Sequence, residues 1–183
     1  MARTLQHIQD ELLVIRCQDG EADALKELIV RWQVRLHAHA WSLTRDAEAA
    51  ADASQEAWLA IARGIRRLSD PSSFGPWAYR IVTHKCADWT RGQQRRRSLA
   101  KRALDAAPAH PEAEPPDEND ATRLRDALCG IEPDSRAILS MHYLGLMNVN
   151  QIAMALDIPV GTVKSRLYHA REALKAAVER REP

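Results

Sequence analysis

The sequence predicts an all-α protein built from two small helical domains joined by a flexible acidic linker. Its 183 residues are 45% hydrophobic and 28% charged, which is typical of a soluble globular protein. The apolar residues are almost all Ala, Leu, Ile, Val and Trp, with one Phe and seven Gly, and this composition favours helices over turn-rich sheets. Apolar residues also recur at three- and four-residue spacing through most of the chain.

The linker is a Pro-rich acidic segment. Residues 105–120 contain four Pro and six Asp or Glu, with no Lys, Arg or large apolar residue. A segment of this composition cannot bury enough apolar surface to pack a core. We therefore predict a first domain over residues 1–100, a linker over residues 101–120 and a second domain over residues 121–183.

Four helices are predicted in the first domain. A break at Asp19-Gly20 separates a short helix from a long one. Asp46 can cap the third helix, which covers residues 47–68 and ends in the Pro-containing segment 69–76. The fourth helix starts at Trp77 and continues into a run of arginines.

Four helices are also predicted in the second domain, over residues 121–129, 133–144, 149–156 and 160–179. The last two flank the break Asp157-Ile158-Pro159, and this spacing is typical of a helix-turn-helix. Its small core is expected to contain Ile152, Leu156, Ile158, Val163 and Leu167.

The last helix has the pattern of a DNA-reading helix. Val163, Leu167, Ala170 and Leu174 form one buried stripe at helical spacing, so the opposite face is exposed. That face offers donors for base edges and cations for phosphates in a major groove, namely Lys164, Ser165, Tyr168, His169 and Arg171. A solvated amphipathic helix is the alternative, and the short helix and turn that precede it make this alternative less favoured.

Charge is strongly segregated along the chain although the net charge is only +1. Residues 80–102 contain eight Lys or Arg against one Asp, interleaved with aromatic residues, which suits single-stranded or melted DNA. Periodicity predicts that Trp77, Ile81 and Trp89 point inward. The polar residues on the outward side are Arg80, His84, Lys85, Asp88 and Arg91.

The third helix carries a mixed polar and apolar patch opposite its Ala-rich stripe. Asp52, Gln55, Glu56 and Leu59 lie on one side at helical spacing. Such a patch can dock a partner protein, and a solvated helix face is the alternative.

The sequence contains no motif that is typical of a catalytic or metal-binding site. Cys17, Cys86 and Cys129 are far apart, and the seven His have no paired Ser, Cys or carboxylate motif. We therefore expect no enzyme, no metal, no cofactor and no small-molecule substrate. No signal-peptide core and no apolar run of ~20 residues occur, so we expect a cytoplasmic protein without membrane insertion.

Three segments in fixed order, residues 46–59, 74–82 and 159–167, resemble the extracytoplasmic-function sigma factors. The resemblance implies a protein that binds core RNA polymerase and directs sequence-specific promoter recognition and transcription initiation. By this resemblance Asp52, Gln55, Glu56 and Leu59 bind the clamp helices of the largest subunit. Arg80, His84, Lys85 and Arg91, with the loop 69–75, capture and melt the minus-10 element.

The same resemblance assigns the second domain to the minus-35 element, through Lys164, Ser165, Tyr168, His169 and Arg171, and to the polymerase flap. It implies that the linker passes toward the RNA-exit channel and that an anti-sigma factor is a partner. Two features depart from the family. His84 replaces a common Asn, so the minus-10 base preference does not follow, and Ala53-Ser54 replaces a more apolar pair in the clamp-binding helix.

Two other functions fit part of the sequence. A dimeric helix-turn-helix regulator that is not a polymerase subunit would sense a ligand through its first domain and bind palindromic sites. An adaptor would occupy polymerase without opening DNA. Neither needs both the patch on the third helix and the basic, aromatic helix.

Overall fold

The computed structural model describes residues 5–103 and 131–179, with side chains for 5–92 and 131–176. Those ranges are helical and contain no strand, so the all-α prediction is confirmed. The helices are α1 (Leu5–Gln18), α2 (Ala22–Thr44), α3 (Ala47–Gly64), α4 (Phe74–Ala103), α5 (Pro133–Tyr143), α6 (Val149–Leu156) and α7 (Val160–Glu179). The predicted helix 121–129, Cys129 and most of the predicted linker lie outside the described residues.

The start of α3 follows the sequence prediction. Asp46 is extended, and its Oδ1 accepts a hydrogen bond of 2.9 Å from the backbone N–H of Ala49, as an N-cap residue does. Ala50, Ala53, Ala57 and Ile61 are buried along one stripe. These mostly small side chains allow α3 to pack closely against α2 and α4.

Two predicted boundaries between α3 and α4 are wrong. α3 ends at Gly64 and tightens into a 3-10 turn, Ile65–Arg67, whereas the prediction extended it to residue 68. α4 begins at Phe74, before the predicted start at Trp77. Pro76 does not stop this helix, because it lies in the first turn, where its missing N–H costs no helical hydrogen bond.

The buried stripe of α4 also differs from the prediction. Trp77, Ile81 and Trp89 were expected to point inward; all three are partly buried, and Trp77 and Ile81 pack against the edge of the core. The buried residues of this helix are Phe74, Ala78, Tyr79, Val82 and Cys86. The Trp32 ring of α2 packs edge-on against Phe74, at 5.3 Å between ring centroids, on the buried side of α4.

The second domain contains the predicted helix-turn-helix. Asn148 and Gln151 form a capping box at the start of α6, so the helix begins at a defined residue. Asp157 ends it in the left-handed conformation, with φ of 55°, and α7 begins three residues later, at Val160. Ile152, Val163 and Leu167 are buried, and Leu156 and Ile158 are half-buried.

The two domains share one continuous core, which the sequence did not predict. α2 contacts α5, and α4 contacts α6. Gly145, after α5, lies against Tyr79 of α4, so a Cβ at this position would come within 2.9 Å of the Tyr79 hydroxyl oxygen. The close approach of backbone and ring explains why a residue without a side chain stands there.

Candidate nucleic-acid and partner interfaces

The predicted patch on α3 is exposed as one face. Asp52, Gln55 and Glu56 are exposed, and Leu59 is 50% exposed, on the side opposite the buried Ala stripe. A half-exposed Leu beside carboxylate and amide groups matches the composition of a docking surface with an apolar centre and a polar rim. No ligand or partner contact tests the role of these residues, which stays a prediction.

The pair Ala53-Ser54 lies beneath this patch and not within it. Both residues are buried, and the Ser54 hydroxyl donates a 2.6 Å hydrogen bond to the carbonyl of Ala50 within the same helix. The unusual pair therefore affects how closely α3 packs on its neighbours and leaves the exposed face unchanged.

An ion pair joins this patch to the basic surface of α4. Lys85 Nζ lies 3.0 Å from Glu56 Oε2, and the Lys85 side chain is partly buried. Exposed ion pairs contribute little to stability, so this one is easily exchanged for another contact. The α3 patch and the predicted minus-10 residues are thus neighbours on the same side of the first domain.

The outward face of α4 carries cations and aromatic rings together. His84 and Arg91 are exposed, and Arg80 is partly exposed. Trp77 and Trp89 are both only partly buried. Trp77 lies on this side of the helix, seven residues before His84, whereas Trp89 follows the buried stripe, three residues after Cys86. Accessible rings beside cations are what single-stranded nucleic acid binding requires, since bases stack and phosphates are neutralised.

Two of the α4 arginines already have protein partners. Arg91 lies 2.9 Å from Asp88 on the same helix. Arg80 lies 3.4 Å from Asp157, which belongs to the turn of the helix-turn-helix. No local pattern predicts the Arg80–Asp157 pair, because the two residues are 77 positions apart.

The predicted reading face of α7 is exposed over its whole set of residues. Lys164, Ser165, His169 and Arg171 are exposed, and Tyr168 is 62% exposed. Val163, Leu167 and Ala170 are buried on the opposite side, as predicted, and Leu174 is partly buried against the core. The face therefore has the geometry of a recognition helix, while its contact with bases stays a prediction.

Arg171 is held in a different way from the other four residues of the reading face. Its guanidinium lies 2.9 Å from His142 Nε2 and 5.6 Å from the centre of the Tyr143 ring, both on α5. Stacking on Tyr143 fixes the side chain at the edge of the face, where it suits a phosphate better than a base edge.

The buried titratable groups do not form a reactive site. Burial lowers the pKa of His39 to about 3 and raises the pKa of Cys86 to about 12, so neither group is poised as a base or a nucleophile near neutral pH. In residues 5–103 and 131–179, no group of three or more His, Cys, Asp or Glu side chains could hold a metal ion. No helix in the described part of the chain is long and apolar enough to cross a membrane.

Comparison with known proteins identifies both domains. The Sigma-70 region 2 family matches residues 28–96, and the Sigma-70, region 4 family matches residues 121–174. The chain is 28% identical to the RNA polymerase sigma-H factor of Pseudomonas aeruginosa, over 93% of this chain and 94% of that protein. It is 27% identical to the ECF RNA polymerase sigma-E factor of Escherichia coli K12, over 95% of this chain and 96% of that protein.

Two solved structures share the fold. CnrH in complex with the cytosolic domain of CnrY has a TM-score of 0.69 at 22% identity, covering 95% of this chain and 99% of that one. RpoE in complex with the anti-sigma factor NepR from Bartonella quintana has a TM-score of 0.67 at 19% identity, covering 86% and 98%. Family matches over both domains, together with full-length relatives, favour a polymerase subunit over a dimeric regulator, and the chain belongs to the extracytoplasmic-function family of RNA polymerase sigma factors.

Proposed function

We propose a division of labour among three helices of this sigma factor. The α3 patch docks on core polymerase, the outward face of α4 captures and opens the minus-10 element, and the exposed face of α7 reads the minus-35 element. The observation that carries this proposal is that each surface is exposed opposite its own buried stripe. Each helix therefore presents its polar set without loss of core packing.

On α3, Leu59 supplies the apolar centre of the docking surface, and Asp52, Gln55 and Glu56 supply its polar rim. The clamp helices of the largest polymerase subunit are the proposed partner. The Glu56–Lys85 pair joins the two proposed surfaces, and this supports docking and strand capture on one side of the first domain.

On α4, Arg80, His84, Lys85 and Arg91 neutralise phosphates, while the partly exposed Trp77 and Trp89 stack on unpaired bases. Stacking on an aromatic ring contributes about 1–3 kcal/mol per base, and this stabilises the open strand without nucleotide hydrolysis. We assign the chain no catalytic chemistry of its own.

On α7, Lys164, Ser165, Tyr168 and His169 read the minus-35 duplex, and Arg171 contacts its backbone. The names of the two promoter elements place them roughly 25 base pairs apart, or ~85 Å of duplex at 3.4 Å per pair. Lys164 follows Asp157 by seven residues, a reach of at most ~27 Å at 3.8 Å per residue, and Asp157 is paired with Arg80. The domains must therefore separate before both elements are bound together.

An anti-sigma protein is proposed as the partner that keeps the domains together. A groove lies between the domains, lined by apolar side chains of α2, α5 and the helix-turn-helix, including Leu43, Ala137, Leu156 and Ile158. Two solved structures with this fold are complexes, CnrH with the cytosolic domain of CnrY and RpoE with the anti-sigma factor NepR. We place the protein in the cytoplasm, where polymerase and promoter DNA are found.

In vitro transcription tests the proposal. The purified chain added to core polymerase should produce defined transcript starts, and Leu59→Asp should lower core binding at least about tenfold, since a carboxylate would replace the apolar centre of the patch. Val34→Asp is the matched control, because Val34 is 72% exposed on α2, away from the patch, and should bind core normally. Equal core binding by L59D and V34D would exclude the α3 patch. Binding of palindromic duplex DNA without polymerase would instead support a regulator.

A further inference from the structure

A buried histidine joins the two domains. His39, in the middle of α2, is fully buried. Its Nδ1 lies 2.8 Å from the Ser140 hydroxyl on α5, and its Nε2 lies 2.9 Å from the Thr83 hydroxyl on α4. A neutral imidazole has one donor and one acceptor nitrogen, so both hydroxyl contacts are satisfied without any charge. One ring therefore connects two helices of the first domain to a helix of the second.

Within residues 5–92 and 131–176, the groups around His39 do not stabilise a charged ring. From α4, the Tyr79 ring packs on it at 4.8 Å, and the Cys86 thiol contacts the carbonyl of the adjacent Ala40. From α5, the nearest charged residue along the helix is the buried cation Arg136, one turn before Ser140. These groups are neutral or positive, so a proton on His39 would meet no compensating charge from either helix.

The remaining neighbours of α2 add no carboxylate either. α3 turns a buried face of Ala, Ser and Ile toward the core, without a titratable side chain. On α1, Asp10 is held by Arg31, eight residues before His39 on α2. On α2 itself, the Arg35 side chain lies over the Trp32 ring. Among the described residues, burial alone accounts for the lowered pKa of His39.

We propose that His39 is an acid-sensitive latch: its neutral ring holds the two domains closed, and its protonation favours their separation. The proposal rests on the proposed need for the domains to separate before promoter binding. It makes the free sigma factor respond to acid through its own fold, in addition to any partner that restrains it.

The direction follows from linkage. In the closed state burial lowers the pKa of His39 to about 3. When α5 leaves, the Nδ1 side of the ring reaches water, and the pKa returns toward its ordinary value of about 6.5. The contribution of His39 to closure is complete above pH ~6.5 and is lost as the pH falls from there toward 3. Between pH 7.5 and 5.5 the open-to-closed ratio should rise about tenfold.

Single-molecule energy transfer on the full chain tests this latch. Dyes at Gln33 on α2 and Glu172 on α7, both exposed, report the separation of the domains, and circular dichroism at each pH checks that the helices stay intact. The ratio should rise about tenfold from pH 7.5 to 5.5. A ratio that stays within twofold of its starting value, in a chain with unchanged helicity, would overturn the proposal.

Two variants separate the latch from general acid effects. His39→Gln keeps a polar, non-titrating group at the site and should abolish the pH response, whereas His37→Gln, an exposed neighbour on the same helix, should retain it. Ser140→Ala removes the interdomain hydrogen bond without altering the first domain and should raise the open fraction at pH 7.5. If the unmodified chain is almost fully closed, Ser140→Ala also brings the open-to-closed ratio into a measurable range.

An H39Q chain that responds to pH like the unmodified one would overturn the latch, as would an S140A chain that opens no more readily. No polymerase is present in these measurements. Failure of the latch is therefore distinct from failure of the three-helix division of labour, which the transcription assay measures.

Discussion

α7 and α4 are both amphipathic helices with a candidate DNA surface, yet the sequence predicted the buried face of α7 correctly and that of α4 only in part. In α7 the inward residues are aliphatic and the opposite face is polar, so only one face of the helix can be the buried one. In α4 large aromatic residues lie in two adjacent stripes, and either could enter a core. The comparison teaches that periodicity identifies a face only when one face alone is apolar.

The difference has a structural origin. α7 packs against two short helices of its own domain, α5 and α6. α4 packs against α2 and α3 on one side and against α6 of the other domain. A helix with neighbours in two domains buries what those neighbours cover, and the remaining aromatic rings stay partly accessible at the surface.

The largest expected effect comes from the stripe that the structure assigns to the core of α4. Phe74→Ala should lower the free energy of unfolding by about 3–5 kcal/mol, because it empties a site between the Trp32 and Trp77 rings. Urea unfolding followed by circular dichroism measures the loss. Val34→Ala, at an exposed position, should change it by less than about 0.5 kcal/mol. A similarly small effect for F74A would mean that the buried face of α4 lies elsewhere.

An intermediate effect should distinguish the two DNA surfaces. Trp89→Ala should weaken opening of the minus-10 strand by about 1–3 kcal/mol, through loss of one stacking ring, and should leave duplex minus-35 binding unchanged. Lys164→Ala should weaken minus-35 binding by a similar amount and leave the opening of a pre-melted template unchanged. Permanganate reactivity of the minus-10 bases measures strand opening. Filter binding of a minus-35 duplex measures the affinity for the minus-35 element.

The variants W89A and K164A can also contradict the assignment of α4 and α7 to separate promoter elements. If W89A and K164A reduced both readouts equally, the two helices would not act on separate promoter elements. If W89A instead lost several kcal/mol of folding stability, its ring would belong to the core, as periodicity alone predicted.

The smallest expected effect concerns a buried hydroxyl. Tyr79 is fully buried on α4, and in the described part of the chain its hydroxyl has no hydrogen-bond partner. Tyr79→Phe should therefore leave the free energy of unfolding unchanged or raise it by up to about 1–2 kcal/mol. Thermal unfolding measures this as an unchanged or higher midpoint. Tyr143→Phe, at a 54% exposed position, is the control and should show no change. A loss above about 1 kcal/mol in Y79F would reveal a partner for the hydroxyl, such as a bound water.

Much of the candidate site could be predicted because its residues are close together in sequence. The patch on α3 and the reading face of α7 each span two or three turns of a single helix, and one period determines which residues share a side. The accessibility of Trp77 and Trp89 could not be predicted in this way. It depends on Trp32 and Phe74, which meet only after α2 and α4 have packed.

The sequence by itself determined the helical class, the cap at Asp46, the helix-turn-helix and the surfaces of α3 and α7, because each follows from local propensity and helical period. Only the tertiary structure decided the buried face of α4, the Arg80–Asp157 pair and the burial of His39 against Ser140. Those features join residues 77 and 101 positions apart. Their energies arise from desolvation and packing between domains, which no local pattern along the chain encodes.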